Sequence, residues 1–406
     1  MKVILLHNNW EVTGGAEFFY QEVGRVLKNN GHDVAFYSAQ DKTSATSEWN
    51  RYFPSVADYS SGSLISRALS FPEMIYNHHA KATLAQLISD FKPDLIHAFA
   101  IYVKLTPSIL DAAREAGVPV VMSCNDYKHI CPNYKLFHHG HVCEACKGGK
   151  FYQAVMNNCC HGSLAYSVAS SLEAYAHNAM NIYRKNVHTF LFASEFMARK
   201  TEEFWGAEKF RWRTLTNPFN AKRFAYSEIN EDYILYFGRL IDEKGVDVLL
   251  DAMVLLPDVK LIVVGDGPNR LALEQQAQIL ELKQVEFVGP KWGNELDDIL
   301  RRCRFVVVPS LWHENFPYVI IQSFAFGKAV VGGMRGGITE LVAQGERGLV
   351  YEASDANALA DCISQLWHDP VMTVNMGQVA KAYADAAFND EAFYQNIMTI
   401  YQEVLK

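Results

Sequence analysis

Apolar and polar positions alternate along this chain in two recurring forms: short apolar runs, and longer stretches with one apolar face. Residues 3–6 are an apolar run, and a glycine-containing turn separates them from Phe19, Val23, Val26 and Leu27, whose i, i+4, i+7, i+8 spacing predicts one buried face of a helix. Gly31 is a stop for that helix, and residues 34–37 return as a strand, giving a βαβ unit. Residues 95–99 predict the next strand, Thr106 and Pro107 a helix start with a cap and a proline at the first helical position, and residues 119–123, 189–193 and 214–216 further strands of the same half. After Asn217-Pro218-Phe219-Asn220 the pattern restarts with a strand at 233–237 and a helix through Val246, Leu249, Leu250 and Met253. Strands at 261–264, 285–288, 305–309 and 329–331 follow, and Phe393, Ile397, Ile400 and Tyr401 predict a closing helix over 391–406. Strands alternating with helices imply parallel sheets covered on both faces, so the expected class is α/β with two Rossmann-like halves.

Composition bounds the partners. The 406 residues, half of them hydrophobic and a fifth charged, suffice for two or three cores. Lys plus Arg number 37 against 45 for Asp plus Glu, a formal charge of -8, which excludes a global pull toward nucleic acid or an anionic membrane. A polyanionic ligand must therefore be met by a local group of cations. The longest apolar runs fall far short of the ~20 residues that span a bilayer. The opening nine residues are too short for a secretory core and lack a small-residue cleavage site, so a cytoplasmic location is expected. No short repeat suggests a solenoid or propeller.

Several glycine turns sit where predicted strands hand over to helices, the edge at which doubly wound sheets bind ligands. Thr13-Gly14-Gly15-Ala16-Glu17 follows the first strand; it reads either as a tight turn or as a cradle whose helix-end N–H groups meet an anion. Phe237-Gly238-Arg239-Leu240 with Glu243-Lys244-Gly245 places two cations at the end of the second half's first strand, either as solvated charge or as neutralisers of a diphosphate. Val264-Gly265-Asp266-Gly267-Pro268 ends another strand. A buried run then delivers Pro309-Ser310-Leu311-Trp312-His313-Glu314-Asn315-Phe316-Pro317, with Gln322 eight residues beyond Glu314, and Gly336-Gly337-Ile338-Thr339-Glu340 makes one more glycine turn.

In this order and at these intervals, the motifs resemble the fourth sequence family of glycosyltransferases, over nearly the whole chain. The resemblance implies a GT-B fold, two Rossmann-like domains with parallel sheets facing an interdomain cleft, and a retaining, metal-independent transfer. It implies an acceptor-binding domain over 1–216, a nucleotide-sugar domain over 217–385, and a helix over 386–406 that packs back on the first domain. Arg239 and Lys244 would contact the donor diphosphate, Glu314 the donor sugar, and Gln322 the ribose. Gly238, Gly265, the N–H groups of Asn315 and Phe316, and Gly336-Gly337 would complete the donor site. On the acceptor side, Asp126 would act with Asn125 and the Gly14-Gly15 turn. Two residues depart from the family pattern: Gln322 stands where a second glutamate is usual, and Asn125-Asp126 where His-Asp is frequent. An amide accepts hydrogen bonds less strongly than a carboxylate, so donor affinity or donor identity is expected to shift. The expected partners are a nucleotide-diphosphate sugar and a saccharide or lipid-linked saccharide, with no nucleic acid; the context is bacterial surface polysaccharide synthesis. A sugar-binding pseudo-enzyme and a GT-B sugar-nucleotide epimerase are the alternatives.

Six of the eight cysteines crowd into residues 124–160, an insertion similar to those of some bacterial members. The spacing of Cys131, Cys143, Cys146 and Cys159 suits a structural zinc, with Cys160 or a histidine as competing ligand, against the alternatives of buried free thiols or disulfides. The run Lys209-Phe210-Arg211-Trp212-Arg213 is either a strand approach with alternating cations or a peripheral contact with the inner membrane.

Overall fold

A computed structural model describes all residues except 13, 42 and 57–70. The chain divides into two compact units. The first comprises Met1–Leu136, Glu144–Pro218 and Phe393–Lys406, the second Phe137–Cys143 and Phe219–Ala392. The strands in chain order are β1 (Lys2–Leu6), β2 (Asp33–Tyr37), β3 (Leu95–Ala98), β4 (Val120–Cys124), β5 (Phe137–His138), β6 (His141–Val142), β7 (Thr189–Phe192), β8 (Trp212–Thr214), β9 (Ile234–Phe237), β10 (Leu261–Val264), β11 (Val285–Gly289), β12 (Val306–Val308), β13 (Val330–Gly333) and β14 (Gly348–Tyr351).

The first unit holds a sheet in the order β2-β1-β3-β4-β7-β8, every neighbouring pair parallel. Its strands read as continuous apolar runs because helices cover both faces. One such helix, Gly15–Asn29, buries Phe19, Val23, Val26 and Leu27 as their spacing predicts. It ends in a Schellman motif: Gly31 takes φ +77°, its N–H reaches Lys28 O at 3.1 Å, and His32 N–H reaches Leu27 O at 3.2 Å. The closing helix Asp390–Leu405 inserts Phe393, Ile397, Ile400 and Tyr401 into the core formed by Val3, Leu5, Phe19 and Phe99. Tyr401 and Ser123 bracket the imidazole of His97 at 2.7 and 2.8 Å, and burial pushes His97 down to about 3, so the ring is neutral there.

The second unit repeats the plan with the order β11-β10-β9-β12-β13-β14, again parallel. This order reverses direction between β9 and β12, the topological switch point of a Rossmann sheet. In the first unit the corresponding reversal falls between β1 and β3.

Some expectations shift. The strand expected at 214–216 runs as Trp212–Thr214, because Phe190, Leu191 and Phe192 of β7 pair with Trp212, Arg213 and Thr214. Pro107 is the N-cap of the helix Ser108–Glu115 and not its first helical residue; Thr106 takes φ +57° and its hydroxyl bonds Ser108 Oγ at 2.8 Å. The β5–β6 hairpin and β14 have no counterpart in the sequence reading.

Candidate functional site

At the switch point of the second sheet, the loops that leave β9, β10, β12 and β13 are tied to one another through their backbones. Gly238 N–H donates to Val264 O at 3.0 Å, and Leu240 N–H to Asp266 O at 2.9 Å. A Cβ on Gly265 would lie 1.9 Å from Gly238 O, so this turn has a structural reason to be glycine. Leu311 N–H donates to Glu243 O at 2.9 Å, and Gly245, at φ +65°, passes so close to Pro309 that a Cβ would sit 2.2 Å from its carbonyl oxygen. Glu314 and Gly336 form an isolated parallel bridge, with Gly337 N–H donating to Glu314 O at 2.7 Å. Gly336 has φ +62°, and a Cβ there would lie 2.0 Å from Glu314 O. The helix Tyr318–Ala325 starts directly behind the buried Asn315 and Phe316, without a side-chain cap on its N-terminus.

This stitching delivers a charged centre. The Glu314 side chain is buried; its Oε1 accepts from Lys244 Nζ at 2.5 Å and from Ser310 Oγ at 2.7 Å. Burial alone would push its carboxyl up, but the Lys244 ammonium and these hydrogen bonds outweigh it and hold the group below the usual carboxylate range. Glu314 is therefore ionised at neutral pH. Lys244 also lies 5.5 Å from the Trp312 ring, and one hydrogen bond leaves its ammonium two more to donate. Tyr236, its phenol held above the ordinary range mainly by burial and then by Glu314, donates to Arg239 O at 2.8 Å. The Arg239 side chain is exposed. Gln322 Nε2 donates to Asp297 Oδ1 at 3.3 Å; burial raises that carboxyl, and the amide bond draws it back down.

In the first unit, the loop after β1 and the loop after β3 meet at that sheet's switch point. Asn8 N–H donates to Ala100 O at 3.1 Å, and Lys104 Nζ to Asn9 Oδ1 at 2.7 Å. Asn9 Nδ2 in turn donates to Glu17 Oε1 at 3.0 Å, at the start of the helix that Gly14 caps. Gly14 has extended backbone, and what its missing side chain leaves room for is Glu17, whose Oε2 would stand 3.3 Å from a Cβ. His7 is buried against Tyr20, with its Nε2 unbonded and its ionisation depressed, chiefly by burial. Beyond β4, Asn125 has a buried Oδ1 without a hydrogen-bond partner among the described residues. Burial pushes Asp126 up to about 6, although the Lys128 N–H at 2.9 Å and the Lys128 ammonium work against it.

The cysteine tetrad is a correction. Among the described residues no group of three or more Cys, His, Asp or Glu is placed to hold a metal ion. Cys143 belongs to the second unit, whereas Cys131, Cys146 and Cys159 belong to the first. The Cys159 thiol bonds its neighbour Cys160, and this bond, with help from the Ser170 hydroxyl and Lys128, draws Cys160 down to about 6 against the opposing effect of burial. The basic run at 209–213 resolves toward its strand reading: Trp212 Nε1 donates to Glu202 at 2.8 Å and Arg213 pairs with Glu403 at 3.0 Å.

Sequence reasoning missed Ser310, Tyr236, Asp297, His7, Asn9 and Lys104. Ser310 lay in plain view four residues before Glu314, the spacing a carboxylate-binding hydroxyl needs across a tight loop. Lys104 and Asp297 had no such cue, since their partners are 95 and 25 residues away.

Comparison with known proteins agrees with this geometry. The sequence profile described as Glycosyltransferase Family 4 matches residues 13–223, and that of Glycosyl transferases group 1 matches residues 219–383. An uncharacterized glycosyltransferase of Methanocaldococcus jannaschii is 29% identical over 45% of this chain and 51% of its own. A D-inositol 3-phosphate glycosyltransferase of Corynebacterium urealyticum is 30% identical over 48% of this chain and 49% of its own, so the chain spans about half the length of these curated relatives. A 42.6 kDa protein from the cps region of Klebsiella pneumoniae is 26% identical over 81% of this chain and 83% of its own. Among solved structures, sucrose-phosphate synthase from Thermosynechococcus elongatus superposes with a TM-score of 0.70 at 19% identity, covering 99% of this chain and 98% of that one. Anabaena HepE in complex with UDP superposes with a TM-score of 0.65 at 19% identity, covering 99% and 100%. The chain belongs to glycosyltransferase family 4, and its two parallel-sheet units are those of the GT-B architecture.

Proposed function

We propose that the chain is a retaining glycosyltransferase that moves a sugar from a nucleoside-diphosphate donor, without a catalytic metal, to a saccharide or lipid-linked saccharide. The observation that carries this reading is the Lys244–Ser310–Glu314 centre at the switch point of the second sheet, with Arg239 on the same edge. An ionised, buried carboxylate fixed by two donors is suited to accept hydrogen bonds from sugar hydroxyls. The unused protons of Lys244, the Arg239 guanidinium, the N–H groups of Asn315 and Phe316, and the Gly336-Gly337 turn supply positive charge to a diphosphate. As the bond from the anomeric carbon to the diphosphate oxygen breaks, these groups take up the negative charge of the leaving group. The acceptor oxygen bonds the same carbon on the same face, and its proton passes to the departing diphosphate.

The first unit would bind the acceptor, with Asp126, Asn125 and the Gly14-Gly15 turn in contact with it. Gln322, oriented by Asp297, would present its Oε1 to the ribose. Uridine diphosphate is the first nucleotide to offer, because the Anabaena neighbour holds UDP. The Klebsiella relative from a cps region favours a role in surface polysaccharide synthesis on the cytoplasmic side.

The test is a panel of nucleotide-sugars, with calorimetry against the free diphosphates and mass spectrometry of acceptor products; the anomeric configuration is read by NMR. Heat together with an α-product from an α-donor supports the proposal. Silence toward every diphosphate overturns it. Heat without product indicates a sugar-binding pseudo-enzyme, and conversion of the donor with no acceptor present indicates an epimerase.

A further inference from the structure

The loop that carries Glu314 also holds a polar atom that the proposed chemistry leaves unused. Trp312 lies two residues before Glu314 and is half-buried. Its indole Nε1 is buried, yet has no hydrogen-bond partner among the described residues. Burial raises the Glu314 carboxyl; the Lys244 ammonium and the Ser310 hydroxyl act first against it, and the Trp312 indole next. The indole therefore stands beside the carboxylate without completing a bond to it. A buried N–H that donates to nothing costs free energy, and folded chains rarely leave one so unless a water or a ligand accepts from it. Trp312 has little freedom to find another partner. Leu311 before it is bound on both sides, its N–H donating to Glu243 O at 2.9 Å and its O accepting from Arg335 Nε at 3.1 Å, and Glu314 beyond it bridges Gly336. The Lys244 ammonium, 5.5 Å from the indole ring, adds a cation–π contact that holds the ring in place.

Together the two side chains present a donor and an acceptor side by side. Both bonds that fix the Glu314 carboxylate, from Lys244 and from Ser310, fall on Oε1. Oε2 is left to accept from a ligand, and Trp312 Nε1 to donate to one. A hydroxyl does both at once, since its oxygen accepts while its proton is donated. A phosphate oxygen could take the indole proton but would meet the negative charge of Glu314, and a deoxygenated carbon answers neither group. We infer that Trp312 is a specificity-determining residue for the donor sugar: its Nε1–H and the Glu314 carboxylate together read one sugar hydroxyl, so the donor is hydroxylated at that carbon and its deoxy counterpart is a poor substrate. The inference rests on the proposal that Glu314 meets the donor sugar, and adds the chemical group that is read and the second residue that reads it.

The test measures initial rates with the nucleotide-sugar that the native chain turns over and with analogues deoxygenated at each sugar hydroxyl in turn. The same series is run on Trp312→Phe, which keeps an aromatic ring and removes the N–H. On the native chain one analogue should lose about 10²-fold in kcat/KM. Trp312→Phe should lose about ten- to thirtyfold with the parent donor, and less than about twofold with that same analogue, because the partner of the N–H is already gone. Calorimetric affinity for the free nucleoside diphosphate should stay within about twofold, since it carries no sugar. An equal loss with the parent and every analogue overturns the inference, as does an unchanged rate, or a free diphosphate weakened as much as the donor. Equal turnover of all analogues by the native chain overturns it without any substitution. A native chain that neither turns over a donor nor binds a diphosphate overturns the transferase reading itself, and this inference with it.

Discussion

The carboxyl edges of the two sheets have the same topology and opposite electrostatic settings. In the second unit, loops locked by glycine contacts hold an ionised Glu314 against Lys244, and Arg239 stands open to solvent. In the first, Lys104 and Glu17 share the Asn9 amide, His7 is neutral, Asn125 is uncharged, and the Asp126 carboxyl is pushed up to about 6, so that it gains its proton just below neutral pH. An edge with fixed charges can neutralise a diphosphate with little reorganisation, which is where electrostatic preorganisation is worth most. An edge of hydrogen-bonding amides and a carboxyl that exchanges its proton near neutral pH suits hydroxyls. The difference is the physical ground for the proposal that the second unit takes the donor and the first the acceptor, a ground that the shared fold alone does not supply.

The largest effect that can break this contrast is at the charged edge. Arg239→Ala is expected to lower kcat by about 10²–10³ while leaving the melting temperature unchanged, as measured by initial rates and calorimetry. Lys244→Ala should lose at least as much activity and also destabilise the protein by about 1–3 kcal/mol, because Glu314 is left buried without its ion-pair partner. Next comes Gly336→Ala, which meets the Glu314 carbonyl and a positive φ together. A stability loss of about 2 kcal/mol or more, with donor binding weakened in parallel, is the expected calorimetric result.

The first unit's edge is sharpened by pH. Asp126 has a folded pKa above its unfolded value, so the folded state holds its proton more tightly, and stability contributed by that proton is lost as pH rises from about 4 to 6. Asp126→Asn should therefore raise stability by about 1–2 kcal/mol at pH 7, with no gain at pH 4, in denaturant titrations at the two pH values. The same variant should weaken acceptor turnover. The smallest effect is at Gln322: Gln322→Ala should raise donor KM about five- to tenfold with kcat nearly unchanged, as expected for one neutral hydrogen bond that is equally strong in ground and transition states.

Much of this was legible in residue order. Continuous apolar runs such as Val306–Val308 marked buried parallel strands, and the glycine turns marked where each strand gave way to the loop at its carboxyl end. What stayed hidden depended on contacts between distant residues. Asn9 and Lys104 meet only because β1 and β3 are sheet neighbours, and Asp297 reaches Gln322 from a different helix. The cysteines misled for a related reason: spacing gives how far apart thiols lie along the chain, while backbone turns decide which of them meet. Here the adjacent pair Cys159 and Cys160 turn toward each other, with Cys131 and Cys146 near enough to act on Cys159, and Cys143 goes with the other unit.

The return of the last helix to the first unit sets how this chain can be taken apart. Because Phe393, Ile397 and Tyr401 complete a core begun by Val3 and Leu5, and because the second unit takes in Phe137–Cys143 as well as Phe219–Ala392, no single cut yields two finished pieces. A fragment stopped at Pro218 would expose an oily trough where the terminal helix belongs and would tend to aggregate. Exchange of the second unit's main segment among relatives therefore needs two splice points, one near Pro218 and one near Ala392, with the final helix and the Phe137–Cys143 segment kept from the recipient.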